Sequence, residues 1–346
     1  MTYESLFMIV TEQMLQRRLA LHHLMENDFA PVEAVPIPKR IASATWFLDA
    51  GLAQVLETHA LCCFRFKAFS GKVVAAFKIL LEEEAAGHLA ERPVLVVPTS
   101  GNFGFAGAIL TVSESRVFDI PKFIAVVESS TPQGKQAHLR RSGATVITAP
   151  TGTTAIQYVM DTYASKPGHL IIDQYAHLGN LRGQEWVAKK IHRTFKDMLS
   201  VFVATVGSTG SVAGAATYLR PHIPNLKIIG IASMSEAERV PGSRTREGAE
   251  AGKFNYQSLL SYPLVTSVTK REAFAYSADL ISASISAGPT AGLALAGFYH
   301  LLQEEYEKGQ LDDMKNQHGK IVVVLLLMDM FLPYSQEYDE VLGVQT

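Results

Sequence analysis

Seven short runs of apolar residues recur along this chain, and helical patterns separate most of them. Because these runs are apolar almost throughout rather than alternating with polar residues, each predicts a strand that is covered on both faces. Strands of this kind separated by helices indicate an α/β fold with mostly parallel sheets, in which ligands bind at the carboxyl ends of the strands. The predicted strands cover residues 94–97, 123–127, 145–148, 170–172, 201–206, 228–232 and 321–326, and the predicted helices cover residues 73–84, 134–141, 154–164, 183–195, 212–219 and 291–303.

The amino-acid composition limits the number of domains and the kinds of partner that this chain can have. With 346 residues, 48% of them hydrophobic, the chain can form one large domain or two ordinary domains with substantial cores. The formal net charge of −2 is not the strongly basic balance that nucleic-acid binding requires. We therefore expect no nucleic-acid partner.

The only two cysteines, Cys62 and Cys63, are adjacent, and the sequence has no CxxC pair or Cys/His spacing typical of a metal site. We therefore expect no disulfide framework and no metal, and a reducing cytoplasm as the compartment. The first residues carry Glu4 and no basic leader, which argues against a secretory signal. The longest apolar run, residues 321–328, is too short to span a bilayer, so we expect a soluble protein.

Two regions lie outside the strand–helix alternation. Residues 4–26 have an amphipathic helical spacing and are followed by a connector with three prolines, so residues 1–40 are predicted to form an N-terminal helical arm. Such an arm would pack on the body of the protein or on a second subunit. Residues 233–263, rich in Gly, Ser, Glu and Arg, are predicted to form a loop or lid.

The first segment with chemical potential surrounds Lys72. This lysine follows Ser70 and Gly71 and stands just before the helical pattern at residues 73–84. A lysine beside small and apolar residues can lose its charge through desolvation and then act as an amine nucleophile or as a base. A surface lysine on an amphipathic helix is the alternative.

The second segment follows the apolar run at residues 94–97. Thr99, Ser100, Gly101 and Asn102 would place hydroxyls, backbone N–H groups and an amide at the start of a helix. Anions bind well at such a position, because the first N–H groups of a helix have no partner within it. Turns of this kind occur in many folds, so the meaning of this one depends on its neighbours.

The third segment is a small-residue loop after the strand at residues 201–206. Small residues allow backbone N–H groups to converge with a helix dipole behind them, so a phosphate is the natural ligand. The sequence has neither the P-loop pattern nor a clean GxGxxG, and a tight turn is the alternative. The loop consists of Gly207, Ser208, Thr209, Gly210 and Ser211.

In combination, the three segments resemble the fold type II pyridoxal-phosphate enzymes, and most closely their cysteine synthase and cystathionine β-synthase group. The shared motifs are S-x-K at Ser70 and Lys72, P-T-S-G-N at residues 98–102 and G-[ST]-x-G-[ST] at residues 207–211, with Lys72 30 residues before Asn102 and 135 before Gly207. Gln174, with Asn180 and Arg182 after it, resembles the group's Q-F-x-N-P-A-N-x-R segment. The resemblance covers about residues 60–330.

The resemblance implies a fold of two three-layer α/β domains like that of the tryptophan synthase β subunit. Residues 66–176 would form the smaller, mobile domain, and residues 41–65 with 177–346 the larger cofactor-binding domain. It also implies a homodimer, which the N-terminal arm would be placed to cross.

The resemblance assigns a role to each matching residue. Lys72 would bind pyridoxal phosphate as the internal aldimine and later act as the base at Cα. Asn102 would hydrogen-bond the ring hydroxyl. Residues 207–211 would hold the phosphate. The α-carboxylate of the substrate would be bound by Thr99, Ser100, Gly101 and Gln174. Ser70 would also bind the substrate.

Several positions depart from the group's pattern. Thr209 stands where the group has glycine, which constrains the backbone but leaves the N–H donors in place. Gly71, Gly179 and Gln184 also differ, the last replacing a histidine. After the final strand the group reads P-D-S-G, with a serine on the pyridine nitrogen. In this chain, direct register puts Met328 at the position of that serine, and a shift of one residue puts Asp329 there. Asp329 would then hold the pyridine nitrogen protonated, and the alternative is that it only caps a loop.

These residues imply an enzyme that acts on a small amino acid and a small nucleophile. The first hypothesis is β-replacement on O-acetyl- or O-phosphoserine through an aminoacrylate, giving cysteine or a related β-substituted alanine, in a specialised pathway of biosynthesis or in housekeeping cysteine synthesis. The second is β-elimination, as in a serine or threonine dehydratase or a desulfhydrase. The third is a catalytically degenerate homologue that binds a partner protein, which the changed C-terminal motif favours and the intact lysine motif opposes.

Overall fold

A computed structural model describes residues 12, 14–20, 32–36, 60–66, 70–99, 101–250 and 252–343. In chain order its strands are β1 (Val32–Pro36), β2 (Ala60–Phe66), β3 (Val94–Pro98), β4 (Phe123–Val127), β5 (Thr145–Thr148), β6 (His169–Ile171), β7 (Val201–Thr205), β8 (Lys227–Ile231) and β9 (Val322–Leu327). Its α-helices are α1 (Lys72–Ala85), α2 (Asn102–Thr111), α3 (Gln133–Arg141), α4 (Ala155–Tyr163), α5 (Gly179–Phe195), α6 (Gly210–His222), α7 (Arg246–Glu250), α8 (Lys270–Ser282), α9 (Pro289–Glu307) and α10 (Ser335–Leu342).

The described residues form two compact units. The first holds Lys72–Trp186 together with the helical segment at residues 14–20. The second holds β1, β2, Ser70, Gly71 and the described chain from Val187 onward. The domain boundaries expected from the sequence stay predictions, because they concern parts that move separately.

The first unit contains a four-stranded sheet in the order β5-β4-β3-β6, and all of its pairings are parallel. Its central strand β4 is buried at every residue. A strand with both faces covered has no polar face, which is why its sequence reads as a continuous apolar run.

The second unit contains a five-stranded sheet in the order β1-β2-β9-β7-β8. Only the β1–β2 pairing is antiparallel, and β9 lies in the middle between two parallel neighbours. Every residue of β7 and β9 is buried. Both sheets therefore confirm the predicted α/β fold with mostly parallel strands.

The sequence pattern missed several elements, for different reasons. Helix α2 is apolar on nearly all sides, because it is buried, so it shows no amphipathic stripe. Strands β1 and β2 lie outside the strand–helix alternation that identified the others. Helix α8 does carry a start signal, since Thr269 Oγ1 accepts from the backbone nitrogen of Glu272 at 3.2 Å in a T-x-x-E capping pattern.

The predicted N-terminal helix is described only at residues 12 and 14–20, where the chain is helical, and the rest of the arm lies outside the described residues. The loop predicted at residues 233–263 is largely irregular but contains α7. Within the described ranges, no helix combines the length and apolar character that crossing a bilayer requires.

The contact between α8 and α9 predicts a large effect of one methyl group. A Cβ atom on Gly292 would overlap the backbone oxygen of Ala273 and lie 2.5 Å from the backbone nitrogen of Ser277. We expect Gly292→Ala to lower the free energy of unfolding by about 1–3 kcal/mol through overpacking. Gly134→Ala is the matched control, because a Cβ there meets nothing within 4 Å and alanine favours the helix. Equal thermal midpoints for the two variants would contradict this prediction.

Candidate functional site

The carboxyl edge of the five-stranded sheet collects three of the predicted segments. Strand β7 pairs with β9 so that Val203 lies opposite Leu325, and Gly207 and Asp329 each follow four residues later. Strand β2, which leads to Ser70, is the other neighbour of β9. The second unit therefore places the small-residue loop, Asp329 and the residues just before Lys72 at one edge.

The segment before Lys72 is bound to the end of β9. The carbonyl oxygen of Met328 accepts from Ser70 Oγ at 3.0 Å and from the Gly71 backbone nitrogen at 2.7 Å. Ser70 also forms an antiparallel bridge with Asp329. Ser70 and Asp329 are both buried. Lys72 follows directly in the chain as the half-buried first residue of α1.

The loop at residues 207–211 has the geometry of an anion cradle. Thr209 is the N-cap residue of α6 but makes no side-chain cap, because its hydroxyl donates to the Ser208 carbonyl oxygen at 2.7 Å. The first N–H groups of α6 therefore have no side-chain cap from this residue. The backbone of Gly207 runs so close to Gly242 that a Cβ on Gly207 would lie 2.6 Å from the Gly242 oxygen.

Thr209 adopts a left-handed conformation, with φ of 63°. A β-branched residue is strained there, and glycine is not. The departure from the group's glycine therefore falls at the one position of the loop where φ is positive. The left-handed turn still directs the chain into α6, so the conformation is kept despite the substitution.

Asp329 is held by two hydroxyl donors. Its Oδ1 accepts from Thr290 Oγ1 at 2.9 Å, and its Oδ2 accepts from the Tyr334 hydroxyl. The Asp329 carbonyl oxygen accepts from the Gly288 backbone nitrogen at 3.0 Å, where a Cβ on Gly288 would lie 2.8 Å from the carboxylate carbon. An ionised carboxylate only accepts hydrogen bonds, so both donors suit the charged form.

The hydrogen bonds around Ser277 hold the start of α9 beside Asp329. Ser277 Oγ lies 2.5 Å from the Tyr338 hydroxyl and contacts the carbonyl oxygens of Ala287 and Gly288 at 3.2 and 2.9 Å. Burial, with the nearby Asp329 charge, raises the pKa of Tyr338, so this phenol stays neutral. Tyr334 and Tyr338 come from the C-terminal turns, 5 and 9 residues after Asp329, and are buried together with Phe274.

The loop that the sequence predicts to bind the substrate carboxylate lies at the carboxyl edge of the sheet in the first unit. Val96 of β3 pairs with Ile171 of β6, and Thr99 and Gln174 each follow three residues later. The buried Thr99 Oγ1 accepts from the backbone nitrogens of Gly101 and Gly104 at 3.1 and 3.0 Å. These bonds close the turn that leads into α2.

Gly101 is the N-cap residue of α2, with φ of 141° and ψ of −84°, a conformation that favours glycine. Asn102 is the first residue of that helix. Ser100, which the sequence adds to this loop, lies outside the described residues. A Cβ on Gly101 would lie 3.6 Å from the Cδ of Lys135, so a lysine that the sequence did not indicate stands beside the loop.

Gln174 is buried, and within the described chain its Oε1 has no hydrogen-bond partner. Its backbone oxygen accepts from Asn180 Nδ2 at 2.8 Å. An unpaired buried amide oxygen raises the energy of the protein, so it indicates a place where a ligand or water completes the hydrogen bond. Because this oxygen only accepts hydrogen bonds, it would not bind a carboxylate, and the predicted carboxylate contact of Gln174 stays a prediction.

The Gln174 loop is attached to α1 through a hydrogen bond between His177 and Glu83. His177 Nε2 lies 2.7 Å from Glu83 Oε1, while His177 Nδ1 accepts from the Gly179 backbone nitrogen at 2.9 Å. Glu83 also contacts His88 Nδ1 at 2.6 Å. The hydrogen bond from His177 lowers the pKa of Glu83, and burial opposes this in part.

Sequence reasoning missed Thr290 as an individual residue, Tyr334 and Lys135. The first two act on Asp329 from segments that are distant in sequence or fold back on it, and no local motif marks them. The segment at residues 284–290 does resemble the group's G-I-S-S-G-A, which was the available signal for Thr290. No group of three or more His, Cys, Asp or Glu in the described part of the chain is arranged to hold a metal ion.

Comparison with known proteins agrees with this geometry. The model of a family described as "Pyridoxal-phosphate dependent enzyme" matches residues 62–325. A cysteine synthase of Helicobacter pylori is 26% identical over 233 residues, which cover 63% of this chain and 72% of that protein. A cystathionine β-synthase of Apis mellifera is 27% identical over 182 residues, 51% of this chain and 35% of that protein.

Among solved structures, a hydrogen sulfide-producing enzyme of Fusobacterium nucleatum superposes with a TM-score of 0.69 at 18% identity. The match covers 90% of this chain and 96% of that chain. At this identity the likeness shows a shared fold.

The Glu83–His177 pair predicts a pH dependence of stability. The folded-state pKa of Glu83 lies below the ordinary 4.5, so its ionised form stabilises the fold above that pH, and this contribution is lost as pH falls through the lowered pKa. We expect Glu83→Gln to be less stable than wild type at pH 7, with the difference shrinking below pH 4.5. Urea unfolding from pH 7 to pH 3 measures this. A difference that stays constant over this range would contradict it.

Proposed function

This chain belongs to the pyridoxal-phosphate-dependent enzyme family, in its cysteine synthase and cystathionine β-synthase group, and from that premise we propose that it catalyses β-replacement on an O-activated serine. The names of both relatives, cysteine synthase and cystathionine β-synthase, support the choice of reaction. The product would be cysteine or another β-substituted alanine.

The observation that carries the proposal is the pair of bonds on the Met328 carbonyl oxygen. They place the residue before Lys72 at the sheet edge that also holds residues 207–211 and Asp329. The resemblance implies a lysine to hold the cofactor, a loop to hold its phosphate and a polar side chain beside its pyridine nitrogen. The contacts of the described residues therefore support the proposal.

The residues present fit pyridoxal phosphate. The uncapped first turn of α6 and the close Gly207–Gly242 approach suit a phosphate. When bound, the cofactor supplies an electron sink for charge that develops at the substrate Cα. Lys72 would hold it covalently, Asn102 would donate to its ring hydroxyl and Asp329 would pair with its pyridine nitrogen.

The substrate carboxylate would bind to the α2 loop. Asn102 is the first residue of that helix, and the Thr99 side chain holds the turn by accepting from the Gly101 and Gly104 N–H groups. Gln174 Oε1 is an acceptor and so would not bond a carboxylate itself, whereas the amide Nε2 of the same side chain would. Ser70 would act through its bond to Met328 and keep the start of α1 in place.

The products distinguish the proposed β-replacement from β-elimination. The purified holoenzyme would be given O-acetyl-L-serine, O-phospho-L-serine or L-serine, each with sulfide, a thiol or an amine. We expect a new β-substituted amino acid with at least one activated serine. If pyruvate or another 2-oxo acid is the only product with every nucleophile, β-replacement is wrong.

The role of Lys72 predicts a spectral change. We expect Lys72→Ala to lose the long-wavelength absorbance of the bound cofactor and to lose turnover by at least about 10³-fold, because no amine remains to hold the cofactor or move the Cα proton. Lys78→Ala is the matched control, since this lysine lies on the same helix and contacts Glu82 at 3.9 Å. If both variants keep the wild-type spectrum, the assignment is wrong.

The hydroxyl bond from Tyr334 predicts an effect on the Asp329 carboxylate. We expect Tyr334→Phe to weaken cofactor binding and to reduce turnover about tenfold, because the Asp329 carboxylate loses a hydroxyl donor. The second readout is the pH at which the cofactor absorbance changes, which a purely structural loss would not shift. An unchanged spectrum across pH together with wild-type turnover would contradict the role of Asp329.

The assembly and the compartment remain predictions. A homodimer is expected from the family resemblance, and the solution mass of the holoenzyme tests it. The cytoplasmic compartment rests on the absence of a disulfide framework from the sequence.

A further inference from the structure

Gln184 is a buried amide with nothing to bind. Its side chain is 1% exposed, and across the described residues neither its Oε1 nor its Nε2 has a hydrogen-bond partner. Buried amides almost always have hydrogen-bond partners in the protein, because a buried amide without a partner has lost its hydrogen bonds to water and gained none. The same unit contains Gln136, a buried glutamine with partners for both atoms, at 3.0 Å to the Thr131 oxygen and 3.2 Å from Arg140.

The position of Gln184 follows from the packing of α5 on α1. A Cβ on Gly179 would lie 2.9 Å from Ile79 Cα, and a Cβ on Gly183 would lie 2.8 Å from the Val74 oxygen. Along α5 the chain therefore runs toward the first turn of α1. Gln184 is the next residue after Gly183, so it lies beside the turn that begins at Lys72.

The face of α5 that holds Gln184 carries the link to Gln174. Asn180 and Gln184 are four residues apart on α5 and share a face, and Asn180 Nδ2 donates to the Gln174 backbone oxygen. Gln174 Oε1 and both polar atoms of Gln184 are thus unpaired in one stretch of the first unit. Two unpaired buried amides near the catalytic lysine indicate a polar ligand rather than a packing defect.

The charged side chains of α1 and of this part of the chain are already paired with one another. Arg182 Nη1 contacts Glu82 at 3.0 Å, Lys78 contacts the same carboxylate at 3.9 Å, and His177 contacts Glu83 at 2.7 Å. A carboxamide carries no charge of its own. A dianionic phosphate would therefore gain little here, whereas a neutral carbonyl oxygen would accept from Nε2.

We propose that Gln184 selects the activating group of the substrate by donating to the carbonyl oxygen of an O-acyl serine, so that the enzyme takes O-acylated rather than O-phosphorylated serine. This proposal rests on the β-replacement function proposed above. Gln184 binds the part of the substrate that leaves, and it takes no part in moving the Cα proton.

Two variants and one control test the proposal. Gln184→Leu removes both polar atoms at similar size, Gln184→Glu keeps the shape but offers no donor when ionised, and Gln136→Leu removes a paired buried amide. The first readout is the thermal midpoint of the protein without cofactor. We expect Gln136→Leu to lower it and Gln184→Leu to leave it at or above the wild-type value, because nothing in the protein loses a partner.

The second readout is kcat/KM of the holoenzyme with O-acetyl-L-serine and with O-phospho-L-serine, and the dissociation constant of L-serine by absorbance titration. We expect wild type to prefer O-acetylserine, and both Gln184 variants to lose about tenfold or more on it, the value of one hydrogen bond to a substrate. Binding of L-serine, which has no acyl group, should not change.

Three results would overturn the proposal. Wild type could prefer O-phosphoserine, or Gln184→Leu could turn over O-acetylserine like wild type. Gln184→Leu could instead lose thermal stability as Gln136→Leu does and weaken every substrate equally, which would make Gln184 structural. If cofactor-loaded wild type converts no serine derivative, the β-replacement function fails first, and this proposal fails with it.

Discussion

The carbonyl oxygen of Met328 is the contact on which the candidate site depends. It accepts from Ser70 Oγ and from the Gly71 backbone nitrogen, which together use both of its lone pairs. These bonds hold Ser70 and Gly71, which directly precede Lys72 in the chain, at the end of the central strand β9. Ser70 and Gly71, the two residues before the lysine, are thus held at the end of a strand that is buried at every residue.

Each unit builds one of the two proposed anion sites by the same route. A parallel strand ends, a short turn of small residues follows, and a helix begins. In the first unit Thr99 holds the turn, and in the second the left-handed Thr209 does. The proposed reaction uses one turn for a carboxylate and the other for a phosphate, while Asp329 is held by Thr290 and Tyr334 as the acid.

The sequence predicted the parts of this arrangement that are local. Continuous apolar runs identified the buried strands, and small-residue turns after β3 and β7 identified the two loops, because both signals lie within a few residues. The fate of Asp329 was left open because its partners Thr290 and Tyr334 reach it only through the folded chain. The unpaired state of Gln184 is a property of its surroundings, which no motif encodes.

The central claim is that Lys72 holds the cofactor. Borohydride reduction of the holoenzyme fixes pyridoxal phosphate on the lysine that binds it, and mass analysis of the peptides then identifies that residue. The account predicts the added mass on the peptide that contains Lys72 and on no other peptide. Label on a peptide with Lys78 or Lys135 but not Lys72, or no label on a protein saturated with cofactor, would contradict it.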